Sequence, residues 1–273
     1  MKNFTQLCGV ALTILGISIA LPASAADLPT SKAPPAPAYL PPPPLFTWTG
    51  FYVGLNAGGI FGQNGSTKTT GTPGFIGLGP ALVPGSLNTR GNGFIGGGQI
   101  GYNYQIGSIV VGAETDLDYS SMKKSASFTS TATVLGTTLT TNARSRLDYL
   151  GTLRARVGFT PYDRLLVYAT GGLAYGGVKT DTSVVPNAVP GGLWSGSSSS
   201  SKVGYAIGGG AEYALTNNIT FKGEYLYYDL GKRTTSAVGN GVVRSVAALN
   251  GIDYISSTRA AGSVVRVGVN YKF

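Results

Sequence analysis

Histidine is absent from the 273-residue chain, and cysteine occurs once, at position 8. Charged residues make up only 11% of the sequence, against about a quarter in a soluble globular domain. No apolar run reaches the roughly 20 residues that a membrane-spanning helix requires. These absences exclude much. Without histidine there is no Ser-His-Asp or Cys-His centre and no His-ligated zinc or haem. With Cys8 inside a leader, the mature chain has no disulfide and no Cys-ligated metal. No cofactor and no metal are expected, and catalysis is not. The charge is too sparse for a water-exposed surface, and the apolar sequence too interrupted for a bundle of membrane helices.

What is abundant is glycine, with 42 residues, and tyrosine, with 16. Residues 1–25 read as a secretory signal peptide: Lys2 supplies the positive start, Leu7 to Leu21 the apolar core, and Ala23-Ser24-Ala25 the small-x-small cleavage pattern. Cleavage is expected near Ala25. Residues 26–47 hold eight of the fifteen prolines, which neither helix nor sheet tolerates, so this stretch is expected to be an extended periplasmic tether. A spacer is the simpler role for it, and binding to the cell wall the alternative.

From Trp48 to Phe273 the recurring signal is two-residue alternation in segments of about ten residues, the pattern of membrane β-strands. Phe51, Val53, Leu55, Ala57 and Phe61 share one face of the first segment. The other apolar faces are Phe94–Tyr104, Ile109–Tyr119, Leu147–Phe159, Leu165–Tyr175, Val203–Tyr213, Ile219–Tyr227 and Val265–Phe273, each read at every second residue. Eight strands are counted. Tight turns at 105–108, 161–164 and 216–218 alternate with polar stretches at 63–91, 121–144, 180–201 and 231–259. The expected fold is all-β: an eight-stranded antiparallel up-and-down transmembrane β-barrel with short periplasmic turns and long extracellular loops.

Aromatic and charged residues sort by the same parity. Phe51, Tyr102, Tyr104, Phe159, Tyr213, Phe221, Tyr271 and Phe273 gather at one rim of the apolar face, and Phe61, Phe94, Tyr119, Tyr149, Tyr175, Tyr205 and Tyr227 at the other, as two interfacial girdles. The opposite, inward parity collects Glu114, Asp116, Asp118, Asp148, Glu212 and Glu224 with Arg146, Arg154, Arg156, Lys222, Arg266 and Lys272. Buried charge must be paired, so this set is expected to form a lumen network, with Glu114, Asp116 or Glu212 as partner of Arg154. Acid–base catalysis by Glu114, Asp116 and Asp118 is the less favoured alternative, because period-two spacing suits an ion-pair network better.

Two motif matches are rejected. Gly96-x-Gly98-x-x-Gly101 has the form of a dinucleotide fingerprint, but alternation continues through it where a helix would be needed. The Ser197–Ser201 run has no base nearby to activate a nucleophile.

The loops and their flanks hold Lys68, Arg90, Lys123, Lys124, Arg144, Lys179, Lys202, Lys232, Arg233, Arg244 and Arg259 against Asp181 and Asp253. Export argues against nucleic acid as the partner of this basic excess. Lipopolysaccharide and outer-membrane lipid are the expected partners, through charge-assisted hydrogen bonds to phosphate. Solvation of the loops is the alternative. At the C-terminus, Val269, Tyr271 and Phe273 resemble the signal read by the outer-membrane assembly machinery.

Several blocks also resemble a known family. These are Thr49-Gly50-Phe51-Tyr52-Val53-Gly54, Gly98-Gln99-Ile100-Gly101-Tyr102-Asn103, Gly112-Ala113-Glu114-Thr115-Asp116, Val167-Tyr168-Ala169-Thr170-Gly171-Gly172, Lys222-Gly223-Glu224-Tyr225-Leu226-Tyr227-Tyr228 and the ending Val265 to Phe273. They are similar to the small outer-membrane β-barrel proteins of alphaproteobacteria, the opacity-like, porin-family group of rhizobia and their relatives. The resemblance implies an outer-membrane barrel involved in envelope integrity, surface display and, in some members, host contact or haem capture. The functional expectation is a non-enzymatic envelope protein. A narrow passive channel for small solutes is the alternative. Haem binding would have only Tyr or Met122 for axial ligation.

Overall fold

The computed structural model describes residues 46–63, 65–72, 86–89, 91–132, 137–187, 189–246, 250–251 and 253–273. The expected leader at 1–25, all but the last two residues of the expected tether at 26–47, and Arg90 lie outside the described residues. Eleven strands and one short helix follow in chain order: β1 (Gly50–Gly62), β2 (Gly65–Gly71), β3 (Ser86–Thr89), β4 (Asn92–Ile106), β5 (Ile109–Ser120), β6 (Lys123–Ala132), β7 (Thr137–Tyr162), β8 (Leu165–Pro186), β9 (Trp194–Ala214), β10 (Ile219–Gly239), α1 (Gly241–Ser245) and β11 (Tyr254–Lys272).

Eight of these strands close a ring. The antiparallel order β1-β4-β5-β7-β8-β9-β10-β11 returns to its start through pairing of β1 with β11, from Tyr52 opposite Lys272 to Gly62 opposite Gly262. Closure leaves no free edge along the ring, which is what allows a sheet to sit in hydrocarbon. The remaining three strands extend one end of the barrel: β2 pairs with β11, β3 with β2, and β6 with β7. At the other end lie the tight connections at Gly107-Ser108, Asp163-Arg164 and 215–218, together with the chain's entry at Phe46 and its last residue. Gly107 takes φ +61°, the left-handed backbone that a two-residue hairpin needs.

Among the described residues, the polar stretches expected as loops are largely strand. β7 runs 26 residues, β8 22, and β9 and β10 21 each, where a tilted membrane strand needs about 9–11. Ser and Thr dominate these extensions, and their polarity reads as loop. Thr is nevertheless β-branched and favours strands, and each extension continues a hydrogen-bond ladder already started within the barrel. The described residues that are irregular at this end are Gln63, Thr72, Gly91, Ser121, Met122, residues 187 and 189–193, and residues 240–246, 250, 251 and 253, which include α1.

Alternation follows the expected parity through most of the ring. Phe51, Leu55, Val203 and Val267 are each at least 66% exposed on the outer face, while Tyr52, Asn56, Glu212 and Arg266 between them are buried. Near the extended end two irregularities break it, and a third register shift, between Phe159 and Tyr162, lies at the turn end. In β7 the register shifts between Leu147 and Tyr149, which pair with Val178 and Gly177. An extra residue flips the side-chain parity of everything before it. In β10 the shift falls between Asp229 and Lys232, where Gly231 has φ +80°. The Asp229 side chain secures that bend by accepting the Gly231 backbone N–H at 2.9 Å and by pairing with Arg259. The Arg259 hydrogen bond holds the Asp229 carboxyl below the usual carboxylate range.

Candidate functional site

The barrel interior is stacked in three layers. At the turn end, Trp48 is buried with Val110, Leu166, Tyr168 and Ala214, and Phe46 packs on it edge-to-face at 5.1 Å. Trp48 is pinned there by its backbone N–H to Gln105 Oε1 at 2.8 Å and its indole N–H to the Asp163 carbonyl at 3.1 Å. Toward the extended end, Ile60, Ile95, Met122, Leu147, Leu150, Leu226, Tyr228, Leu230 and Val264 form an apolar layer. Between the two lies a charged layer.

Two arginines organise that layer. Arg154 of β7 donates to Glu114 at 2.6 Å, Asp116 at 2.9 Å and Glu224 at 2.8 Å. Arg266 of β11 reaches Asp116 at 2.7 Å, Asp118 at 2.5 Å and Glu224 at 2.7 Å. Lys222 lies 2.9 Å from Glu114. Arg156 holds Glu212 at 2.8 Å, donates to the Tyr52 hydroxyl at 3.0 Å and lies over the Tyr168 ring, 4.0 Å from its centroid. The Tyr52 hydroxyl in turn donates a hydrogen bond to Glu114 at 2.7 Å. The nine charged side chains are all buried. Several kcal/mol per ion would be lost if such charges stood unpaired, and each carboxylate here has at least one cation against it.

Of the twelve side chains expected in the lumen, these nine come together. The partners of Arg154 include Glu114 and Asp116, as expected, but Glu212 belongs to Arg156, and Glu224 was not anticipated. Lys272 points inward at the turn end and bonds the Thr47 carbonyl, with its ammonium 4.6 Å from the Phe46 ring centroid, away from any carboxylate of the layer. Arg146 and Asp148 are corrections. The β7 irregularity turns Leu147 into the apolar layer and Arg146 to the outer surface, where Arg146 meets Asp148 at 3.4 Å and Lys179 meets Asp148 at 2.8 Å. An arginine among Leu150, Leu226 and Leu230 would have no counter-charge, so the leucine takes the interior position.

Sequence reasoning missed the neutral members of the layer. Tyr52, Thr152, Tyr168 and Asn270 each bond a network carboxylate: Thr152 reaches Asp116 at 2.8 Å, Tyr168 reaches Glu224 at 3.2 Å and Asn270 reaches Glu212 at 2.7 Å. Their signal was available, since all four are polar groups on the inward parity. Gly101, part of the rejected fingerprint, lies within β4; a Cβ there would collide with the Tyr52 hydroxyl, so the glycine makes room for a network member.

The expected basic surface divides. Lys123, Arg144, Lys232, Arg244 and Arg259 are exposed at the extended end. The backbone of Lys68 lies in β2. Lys124 and Arg233 are corrections, because both point inward. Lys124 donates to the Gln63 carbonyl at 3.3 Å, and Arg233 to the Val178 carbonyl at 3.1 Å and Ser200 at 2.5 Å. Lys124 follows the alternation of β6, and Arg233 is turned inward by the shift at 229–232.

Against known proteins, the family model for the outer membrane protein beta-barrel domain matches residues 40–273. A 31 kDa outer-membrane immunogenic protein of Brucella melitensis is 40% identical over 229 residues, covering 84% of this chain and 85% of that protein. A 22 kDa outer membrane protein of Rhizobium leguminosarum bv. viciae is 32% identical over 190 residues, covering 68% and 66%. Among solved structures, the outer membrane protein OprG from Pseudomonas aeruginosa aligns with a TM-score of 0.48 at 16% identity, over 84% of this chain and 98% of that one. With a closed eight-stranded ring, an outward apolar face and a family match that spans all of it, this chain is an outer-membrane protein and belongs to the outer membrane protein β-barrel family.

Proposed function

We propose that the protein is a non-enzymatic, sealed barrel that supports the outer membrane and displays a basic surface to lipopolysaccharide. The observation that carries this reading is the filled interior. Arg154, Arg266 and their carboxylates occupy the middle of the lumen, with Trp48 below and the leucine layer above. Eight-stranded barrels have interiors about as wide as their side chains, so a solute path would require parting these ion pairs. The same pairing argues against catalysis, because Glu114, Asp116 and Asp118 are committed to guanidinium groups and buried from any substrate. Surface display is supported by the strand extensions beyond the upper girdle and by the relatives named as immunogenic outer-membrane proteins. The C-terminal Val269, Tyr271 and Phe273 serve as the assembly signal in this reading, and the Pro-rich arm as a spacer toward the cell wall.

Two measurements test it. Refolded protein in planar bilayers is expected to give no sustained conductance, and a reproducible, long-lived open state would overturn the sealed-lumen reading in favour of a channel. A strain lacking the protein is expected to become more sensitive to detergent and to chelators that loosen lipopolysaccharide. Unchanged sensitivity would remove the envelope role.

A further inference from the structure

The surface charges of the extended end are not scattered. Lys123 of β6, Arg146 of β7 and Lys179 of β8 are direct cross-strand partners in one row. The next row outward sets Ser125, Arg144 and Asp181 opposite one another. All point to the outer face; Lys123, Arg144 and Asp181 are exposed. Like charges placed directly opposite across a sheet destabilise it, and three cations in a row with Asp148 as the bridging acid is an arrangement that favours an added anion. Lys123 and Arg144 form no ion pair with any described residue. A groove of about 450 Å³ runs between Lys123, Arg144, Arg146 and Asp181, and a second of about 440 Å³ continues past Arg144 and Asp181 toward Ser195 and Ser197.

Position names the occupant. Arg146 lies three residues beyond Tyr149, and Lys123 and Lys179 lie four residues beyond Tyr119 and Tyr175 of the upper girdle. At ~3.3 Å per residue this is about 10–13 Å along the strands, the height at which a bilayer carries its headgroups. The face is continuous with the lipid-contacting surface below it.

We propose that Lys123, Arg144, Arg146 and Lys179 form a specific site for the phosphates of the outer-leaflet glycolipid, lipid A, with the sugar backbone lying in the groove. This rests on the lipopolysaccharide-facing reading above and narrows it from a general basic surface to one patch on β6, β7 and β8. The β7 irregularity is what creates the patch, because regular alternation would send Arg144 and Arg146 into the barrel. Asp148 holds Arg146 and Lys179 side by side and competes with the phosphate for them.

The test uses the full chain isolated from outer membranes, stripped of lipid in detergent and offered bis-phosphorylated lipid A, fully dephosphorylated lipid A or inorganic phosphate, with bound lipid counted by native mass spectrometry. The wild type is expected to bind the phosphorylated lipid at least about tenfold more tightly than the dephosphorylated one, equivalent to about 1.4 kcal/mol. Arg146→Gln with Lys179→Gln should erase that preference, and Asp148→Asn should strengthen it. Lys232→Gln with Arg244→Gln, cations of the general basic surface but off the patch, should weaken it far less. Equal loss in both double variants would reduce the effect to general charge, and equal binding of dephosphorylated lipid would make it apolar. Full competition by millimolar inorganic phosphate would assign the site to a soluble anion. Each of these three results overturns the site while leaving the conductance and envelope tests standing. Heat-modifiable gel mobility confirms that each variant is folded, and the Asp148→Asn gain provides a result that unfolding cannot imitate.

Discussion

Arg154 and Arg146 lie on the same strand, eight residues apart and on the same sequence parity, and they live in different worlds. Arg154 is fully buried and bonded to three carboxylates from two other strands. Arg146 is half exposed on the outer surface beside Asp148. One extra residue between them, where β7 shifts against β8, accounts for the difference. The comparison separates what a charge does by where it is solvated. In the lumen a cation is part of a fixed structure whose members cannot be removed singly. On the surface it is screened, contributes little to folding, and is free to meet a ligand.

The hardest test of this contrast is to remove each arginine. Arg154→Ala leaves Glu114, Asp116 and Glu224 short of a partner and is expected to cost about 3–5 kcal/mol, read as a fall in the urea midpoint of the protein in micelles. An unchanged midpoint would mean that the layer contributes no stability. Leu147→Ala probes the parity flip itself. With Leu147 in the apolar layer the loss is expected at about 2–5 kcal/mol, and a cysteine at 147 should resist a membrane-impermeant thiol reagent that labels one at 146. Labelling of 147 in place of 146 would restore regular alternation through β7.

Deletion of Phe273 comes next. Its side chain is 71% exposed on the outer face and packs edge-to-face on Tyr271 at 5.3 Å, so the folded barrel should lose no more than about 1.5–3 kcal/mol. Normal refolding into micelles with depleted outer-membrane levels supports an assembly signal, while equal membrane levels leave only the girdle role. On the surface side of the comparison, Arg146→Gln and Asp148→Asn, singly or together, should each change stability by less than about 1 kcal/mol, and a larger coupling in the double-mutant cycle would show that this pair is structural after all. The smallest effect concerns pH. Because Arg259 depresses the folded Asp229 carboxyl, its contribution is complete above the ordinary carboxylate value, roughly 3.9, and is lost as pH falls below that through the folded value. Asp229→Asn should therefore narrow slightly the gap between urea midpoints measured at pH 7 and pH 3.

Much of this molecule was legible in the order of its residues. Period-two alternation disclosed eight strands, the outward aromatics and the inward positions of Glu114, Arg154, Arg266 and seven further charges, because a pleated strand closed into a ring with lipid outside and a narrow lumen inside allows only one assignment of faces. Tight turns near Gly107, Asp163 and Asn217 were legible for the same local reason. Cross-barrel partners were not. Glu224 reaches Arg154 across the lumen from a strand 70 residues on, and that meeting depends on the stagger of the ring, which no local pattern encodes. Nor were the register shifts near Asp148 and Gly231 visible, since whether an extra residue is absorbed there is decided by which side chains fill the interior at that height. That choice, made only when all eight strands close together, places Leu147 inside, Arg146 outside and Arg233 within, and so decides which of the chain's charges hold the barrel and which face the membrane surface.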